Sequence, residues 1–233
     1  MSKIIAIMLL LCCGMMLFGC ADDNGRRKAE QQKTIVVTDS VGRKVELPYP
    51  LERVAVCNVY NAELITAVGA IDKIVGVDNY IFKDQSGFKN RFNEAQVFGI
   101  SQNAMNYEKL AELAPQAVII TGEGTWRDAQ EMLDRFGIKV IVINSYYTDQ
   151  FADNCRLIGR IFGREEQAEE LVNYFNDKLA YIQKQLQGVP RRSLYFEYRT
   201  LGKTAVPGDY FYKMVEYSGA DNIFAAAKGS QVD

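Results

Sequence analysis

Several aromatic and arginine side chains lie in segments that would directly follow the strands of an α/β fold. Ligands of open parallel sheets bind outside the carboxyl ends of the strands, so these segments are where a ligand site is expected. Aromatic faces suit the flat or apolar parts of a ligand, and arginine suits carboxylates or other anionic oxygens. The same residue types are also common in surface loops that bind nothing. The candidate ligand-binding residues are Tyr60, Tyr80, Trp126, Arg127, Tyr146, Tyr147 and Arg199.

Trp126 and Arg127 form the strongest pair among these candidates. Trp126 is the sole tryptophan of the chain, and the pair lies next to a glycine-containing loop at 122–124. The sequence therefore predicts that Trp126 and Arg127 act on the ligand from one lobe, against Arg199 from another.

No pattern in the sequence predicts catalysis. Histidine is absent from all 233 residues, which removes Ser-His-Asp and Cys-His catalysis and the usual imidazole ligands of a bare metal ion. Gly122 and Gly124 are too closely placed for a dinucleotide fingerprint, and no phosphate-binding loop motif occurs. The formal charge of −2 lacks the basic excess that nucleic acid requires. We expect no catalytic residue, no resident metal or cofactor and no nucleic-acid partner.

The N-terminal segment is predicted to direct export. Lys3 precedes an apolar run, Ile4–Phe18, which is short for a membrane span. The run ends in Gly19 and Cys20, and this ending resembles the bacterial lipobox, in which the signal is cut before a lipid-modified cysteine. We therefore expect a signal peptide at 1–19, lipidation of Cys20 and a flexible charged tether at 20–33. An ordinary signal peptide or a membrane anchor with a chance cysteine are the alternatives.

The pattern from residue 34 to 163 predicts an N-terminal α/β lobe. A hairpin is expected at 34–48, because two strand-like runs flank a turn that contains Gly42. Continuous apolar runs predict strands covered on both faces. Repeated β-α-β units of this kind indicate a parallel sheet with helices on both faces. No assignment is made for 78–96. The expected strands are at 53–57, 74–77, 117–121 and 139–143, and the expected helices are at 62–68, 107–114, 126–136 and 149–162.

A long amphipathic helix is predicted over 164–187. Its apolar residues recur at three- and four-residue steps, and Gly188 with Pro190 ends it. Acidic residues crowd its first turns, where the helix dipole favours them. A completed α/β pattern precedes this helix and a new strand and helix follow it. We interpret it as a rigid linker between two lobes.

The region 188–233 is predicted to begin a C-terminal α/β lobe. A strand is expected at 193–198, a helix ending at Tyr217 and a turn at 219–222. One strand and one helix are too few to form a stable lobe. The pattern therefore predicts that the second lobe is truncated in this sequence.

Five blocks follow one another in the chain: TDSVGRKVELPYPLERVAV, AELITAVGAIDKIVGV, NYEKLAELAPQAVII, LIGRIFGREEQAEELV and GDYFYKMVEYSGADNIF. In this order they resemble the iron-siderophore and vitamin B12 substrate-binding proteins of bacterial ABC importers. The resemblance implies two α/β lobes of parallel-sheet sandwich, joined by a single long helix, with the ligand in the cleft between them.

The same resemblance implies a function and its partners. The expected protein is no enzyme but a lipid-anchored, extracytoplasmic binding protein that delivers a metal chelate to an ABC permease and its ATPase. An iron siderophore is the first candidate, and heme, a cobamide or an oxyanion are alternatives. Glu108 matches the family's first-lobe glutamate, which pairs with permease arginines, although the helix dipole alone also favours glutamate there. An exported α/β enzyme and an extracytoplasmic sensor module remain as rival classes.

Overall fold

A computed structural model describes residues 33–198 and 201–227. The predicted signal peptide and tether up to residue 32, with Cys20, and the candidate Arg199 lie outside these ranges. The strands are β1 (Thr34–Thr38), β2 (Lys44–Pro48), β3 (Val54–Val56), β4 (Ile74–Asp78), β5 (Val97–Gly99), β6 (Ala117–Ile120), β7 (Lys139–Val142), β8 (Ser193–Leu194) and β9 (Asp221–Asn222). The helices are α1 (Val59–Ala67), α2 (Asn79–Lys83), α3 (Tyr107–Glu112), α4 (Trp126–Asp134), α5 (Phe151–Phe162), α6 (Glu165–Gln185) and α7 (Tyr212–Tyr217). No helix in this described part of the chain is long and apolar enough to cross a membrane.

A parallel sheet with the strand order β5-β4-β3-β6-β7 forms the centre of the fold. Every residue of β3 and β6 is buried, because helices cover both faces. Val56 and Ile119 pack on one face with Ile65 of α1 and residues of α5. Val118 packs on the opposite face with helices α3 and α4. This arrangement confirms the predicted α/β class with a parallel sheet.

The N-terminal hairpin pairs β1 with β2 in antiparallel register, as predicted. Its turn is fixed by Asp39, whose side chain is fully buried and forms an ion pair with Arg43 at 2.6 Å. The Asp39 carboxylate also accepts hydrogen bonds from the amides of Arg43 (2.9 Å) and Val142 (3.3 Å). The amide of Ser40 donates to the Val142 carbonyl at 2.9 Å. These bonds attach the hairpin turn to the end of β7.

Two helices pack closely where α5 leads into α6. A Cβ atom added at Gly159 would lie 2.4 Å from the Cβ of Ala168 and 2.9 Å from the carbonyl oxygen of Arg164. Both distances are shorter than atoms tolerate, so the two helices approach as closely as they do because position 159 carries no side chain. Gly163 ends α5 in the left-handed conformation, with φ of 63°.

The long helix α6 begins and ends within two residues of the predicted boundaries. Ala168 and Val172 are buried in its first half. Ile182 of the predicted apolar stripe is 40% exposed, so the stripe is only partly covered. Tyr174 and Tyr181, outside the stripe, are each 62% exposed. The interpretation of this helix as a linker between two lobes stays a prediction.

The region after α6 differs from the predicted elements. The strand predicted at 193–198 is wrong beyond Leu194, because β8 pairs in parallel only with the two residues of β9. Glu197 instead forms an isolated antiparallel bridge with Thr204. The turn predicted at 219–222 is also wrong in its second half, where Asp221 and Asn222 form β9. Glycine next to polar residues suggested a turn, and only a tertiary partner makes this segment a strand.

Two further differences lie in the first part of the chain. Helix α2 and strand β5 were not predicted, because five and three residues are too few to give a periodic pattern. Helix α1 begins at Val59, three residues before the predicted start. The earlier start follows from Asn58, whose side chain accepts a hydrogen bond from the Tyr60 amide at 2.9 Å and caps the helix.

We expect Gly159→Ala to destabilise the protein by about 1–3 kcal/mol, because the new methyl group overlaps Ala168 and the carbonyl group of Arg164. An unhindered glycine-to-alanine change in a helix would stabilise by about 0.5–1 kcal/mol instead. Urea denaturation measures the difference. The double variant Gly159→Ala/Ala168→Gly removes one of the two overlapping groups and should recover part of the loss. Equal or greater stability of the single variant would contradict the close packing.

Candidate functional site

The carboxyl ends of the parallel strands meet at one edge of the sheet. From β3 the chain builds outward to β4 and β5 on one side, and to β6 and β7 on the other. The point where the strand order reverses therefore lies between β3 and β6. Open α/β sheets bind ligands in the crevice outside such a reversal.

A groove occupies this position. It consists of two cavities of about 680 Å³ and 350 Å³ that share Asn58, Tyr60 and Glu123 in their walls. The first cavity extends toward the loops after β4 and β6, and the second extends toward the region that follows α6. We call the two together the tyrosine groove. Its walls include Asn58, Tyr60, Glu63, Asp78, Tyr80, Gln102, Glu123, Tyr146, Tyr198, Lys203, Tyr210 and Phe211.

One end of the tyrosine groove is formed by the starts of α1 and α2. Tyr60 and Tyr80 lie in the first turns of these helices and are 48% and 62% exposed. Their rings are therefore available to a ligand. Asn58 precedes α1 with φ of 77°, a left-handed conformation that is uncommon for residues other than glycine. Such conformations concentrate at functional sites.

Asp78 links these two helix starts. Its Oδ2 accepts a hydrogen bond from the Asn58 amide at 3.0 Å, and its Oδ1 accepts one from the Ile81 amide at 2.9 Å. The residue is 2% exposed. Burial raises the pKa of the Asp78 carboxyl, and the backbone hydrogen bonds that favour its charged form oppose this shift.

Aromatic rings form the other end of the tyrosine groove. Tyr146, which follows β7, packs against Tyr147 with ring centroids 4.8 Å apart and against Tyr210 at 5.5 Å. The ring centroids of Tyr210 and Phe211 are in turn 4.3 Å apart. Edge-on and tilted contacts of this kind stabilise aromatic clusters. They join the loop after β7 to the chain that follows α6.

The hydroxyls of Tyr146 and Tyr147 stay protonated. Burial, reinforced by the nearby Glu123 carboxylate, raises the pKa of Tyr146 and, to a smaller degree, that of Tyr147. Both phenols therefore act as neutral hydrogen-bonding groups at physiological pH.

The charge of the tyrosine groove is acidic among its described residues. Glu63, Asp78 and Glu123 line it, against a single lysine, Lys203. Burial and the neighbouring Asp84 raise the pKa of Glu63. In the described ranges, no group of three histidine, cysteine or acidic side chains is arranged to hold a metal ion.

The structure brings together Tyr60, Tyr80 and Tyr146 of the predicted ligand residues, with Tyr147 packed behind Tyr146. It does not bring Trp126 and Arg127 to the same walls. Trp126 is 8% exposed, and the guanidinium carbons of Arg43 and Arg127 lie 4.3 Å and 4.1 Å from the centre of its ring. These residues line a separate depression along α4. The predicted tryptophan–arginine pair is thus engaged in its own cation–π stack.

Glu108 lies in the first turn of α3 and is exposed. Its helix is capped by Asn106, whose side-chain oxygen accepts a hydrogen bond from the Lys109 amide at 2.9 Å. The carboxylate is therefore free of a structural role in the cap. Its predicted part in permease docking stays a prediction.

Sequence reasoning missed the contributions of Tyr198, Tyr210 and Phe211. They belong to no strand end of the central sheet and reach the tyrosine groove only because the chain after α6 folds back on it. The signal available was the aromatic density of the segment Tyr210–Tyr212 directly after a Pro-Gly turn. Asn58, Asp78 and Glu123 were within the segments that the strand-end rule selects, but their residue types gave no reason to choose them.

Comparison with known proteins decides the family. The sequence profile of the periplasmic binding proteins matches residues 54–233, which is most of the chain. The chain belongs to the periplasmic binding protein family. This membership agrees with the resemblance described for its five sequence blocks.

Individual members of the periplasmic binding protein family are distant relatives. The molybdate-binding protein MolA of Haemophilus influenzae is 26% identical, over 82% of this chain and 61% of its own length. The vitamin B12-binding protein of Salmonella typhimurium is 22% identical, over 77% and 65%. A periplasmic solute binding protein from Veillonella parvula has a similar crystal structure, with a TM-score of 0.64 and 26% identity over 86% of this chain and 64% of that one. The chain thus spans less than two thirds of each of these proteins.

Proposed function

We propose that this protein is the substrate-binding component of a bacterial ABC importer. It captures a metal chelate in the tyrosine groove and delivers it to a permease that is driven by an ATPase. A ferric siderophore is the first candidate ligand, with heme, a cobamide or an oxyanion as alternatives within the same fold. Other family members carry such ligands in their names, among them molybdate and vitamin B12.

The observation that supports this proposal most is the tyrosine groove itself. It lies at the reversal of strand order, where α/β sheets bind ligands, and two exposed phenol rings enter it. Tyrosine offers a chelate both an apolar face and a hydrogen-bonding tip. These features fit the binding of a ligand without chemical change.

The first experiment is calorimetric titration of the full-length protein with ferric siderophores, hemin, cyanocobalamin and molybdate. Tyr60→Ala and Tyr80→Ala should each weaken the bound chelate about tenfold, because each removes an aromatic face from the groove. Arg127→Ala, at the separate depression on α4, is the matched control and should leave affinity unchanged.

Two outcomes would contradict the proposal. Weakened binding in Arg127→Ala, with unchanged binding in both tyrosine variants, would move the site to the depression on α4. Recovery of a chemically altered ligand after incubation would favour an exported enzyme.

Lipid anchoring is the second part of the proposal, and it rests on Gly19-Cys20 followed by a polar segment. Cys20→Ala should release the protein from the membrane fraction, since a diacylglycerol anchor needs the thiol. Cys13→Ala, within the apolar run, is the control and should stay membrane-bound. The measurement is immunoblotting of fractionated cells. If Cys20→Ala remains in the membrane fraction, the apolar run itself is the anchor.

Permease docking through Glu108 is the third part. Glu108→Ala should reduce uptake of the chelate in cells by about tenfold, the scale on which a lost charge-assisted bond of ~1.5 kcal/mol acts. Affinity of the purified protein should be unaffected, because Glu108 is not among the groove walls. Glu131→Ala, an exposed glutamate of α4, serves as the control for loss of surface charge. Normal uptake by Glu108→Ala would contradict the docking role and would favour the alternative, in which the helix dipole alone accounts for a glutamate at this position.

A further inference from the structure

We infer that Asp78 is a positioning residue that sets the distance and orientation between the two ligand-facing rings, Tyr60 and Tyr80. This inference rests on the proposed function of the tyrosine groove as a binding site. It concerns how the groove is held in shape and not which ligand enters it.

The geometry that supports it is the division of one carboxylate between two helices. Oδ2 accepts a hydrogen bond from the amide of Asn58. The side chain of Asn58 in turn accepts one from the amide of Tyr60 and so caps α1. Oδ1 holds the amide of Ile81, in the first turn of α2, directly after Tyr80. Each tyrosine is thus one or two residues from a backbone group fixed by Asp78. Tyr60 and Tyr80 are 48% and 62% exposed, so packing holds their rings only in part, and the backbone that carries them sets where each ring starts.

The chemistry of the site requires a carboxylate. Both oxygens accept a main-chain N–H, and an asparagine in the same place has only one acceptor oxygen and would turn an N–H donor toward the other amide. Burying a carboxylate without a cation beside it is unfavourable. Asp78 nevertheless forms no ion pair within the described residues. Asp39, the other buried carboxylate, has Arg43 as a partner. Asp78 is instead bonded by main-chain amides at the starts of the two helices.

Asn58 shows the strain that this arrangement maintains. Its φ of 77° is costly for an asparagine, and the bond from its amide to Asp78 is one of the contacts that keep it there. Without that bond the backbone can relax toward an ordinary helix entry. Relaxation would move Tyr60 relative to Tyr80 and change the width of the groove.

The test follows the two rings directly, in full-length protein labelled with 3-fluorotyrosine. Fluorine NMR signals of Tyr60 and Tyr80 are assigned from Tyr60→Phe and Tyr80→Phe. Asp78→Asn should shift or broaden both signals together and leave that of Tyr174, on the exposed face of α6, unchanged. Asp39→Asn is the matched control, because it should lower the melting temperature by removing a buried carboxylate that lines neither cavity of the tyrosine groove. It should leave both signals in place.

A second variant keeps the inference testable if Asp78→Asn does not fold. Asn58→Gly retains the amide that donates to Asp78 and accepts the positive φ without strain, but it lacks the side chain that caps the Tyr60 amide. It should move the Tyr60 signal and leave the Tyr80 signal unchanged. Movement of neither signal in either variant would overturn the inference, and so would equal movement of all tyrosine signals, which indicates general loosening.

Binding gives an independent measurement. With a ferric trihydroxamate as the probe, Asp78→Asn should raise Kd about tenfold, whereas Asp39→Asn should not change it. If the unaltered protein binds none of the chelates, the proposed function fails and the NMR result alone decides the role of Asp78. If it binds and Asp78→Asn binds equally well, the positioning role is wrong while the proposed function stands.

Discussion

Burial of the central sheet on both faces is the constraint on which the rest of this structure depends. β3 and β6 have no exposed residue, so helices must cover each face and every connection must return across the sheet. Side chains within the strands are therefore apolar, and polar chemistry is confined to the strand ends. Because all the strands of the central sheet are parallel, the loops after β3, β4, β6 and β7 collect at one edge. The position of the tyrosine groove is a consequence of how the core is buried.

Two buried carboxylates adapt to this edge in different ways. Asp39 is neutralised by Arg43 and fixes a hairpin turn against β7, a purely architectural arrangement. Asp78 lies at the end of β4 and is satisfied by main-chain amides on the wall of the groove. A buried carboxylate without a cation beside it is costly. At Asp78 this carboxylate joins the starts of two helices that carry groove residues. The contrast between the two residues separates a group that supports the fold from one that shapes a surface.

The predictable part of the fold is the part that depends on local patterns. The run AVII of β6 and the caps and stops of α6 follow from burial and helix chemistry, and both were predicted close to their observed ends. β5 and β9 were not, because two or three residues become a strand only when a neighbour pairs with them. The site divides in the same way. Tyr60 and Tyr80 follow strand ends directly, whereas the placement of Trp126 depends on Arg43, a residue distant in sequence whose guanidinium covers the indole ring.

The charge and size of the tyrosine groove bear on which ligand it accepts. A small oxyanion is bound by several N–H or guanidinium donors that converge on it. The described walls present Glu63, Asp78 and Glu123 with only Lys203 opposing them, so a compact anion would meet mostly like charge there. A cavity of about 680 Å³ also exceeds what a tetrahedral anion fills. We therefore propose a larger chelate in preference to an oxyanion, even though MolA, which is named for molybdate, is among the relatives. A chelate distributes its charge over many donor atoms and has rings or alkyl chains, so we expect the acidic wall with Tyr60 and Tyr80 to accommodate it better than a compact anion.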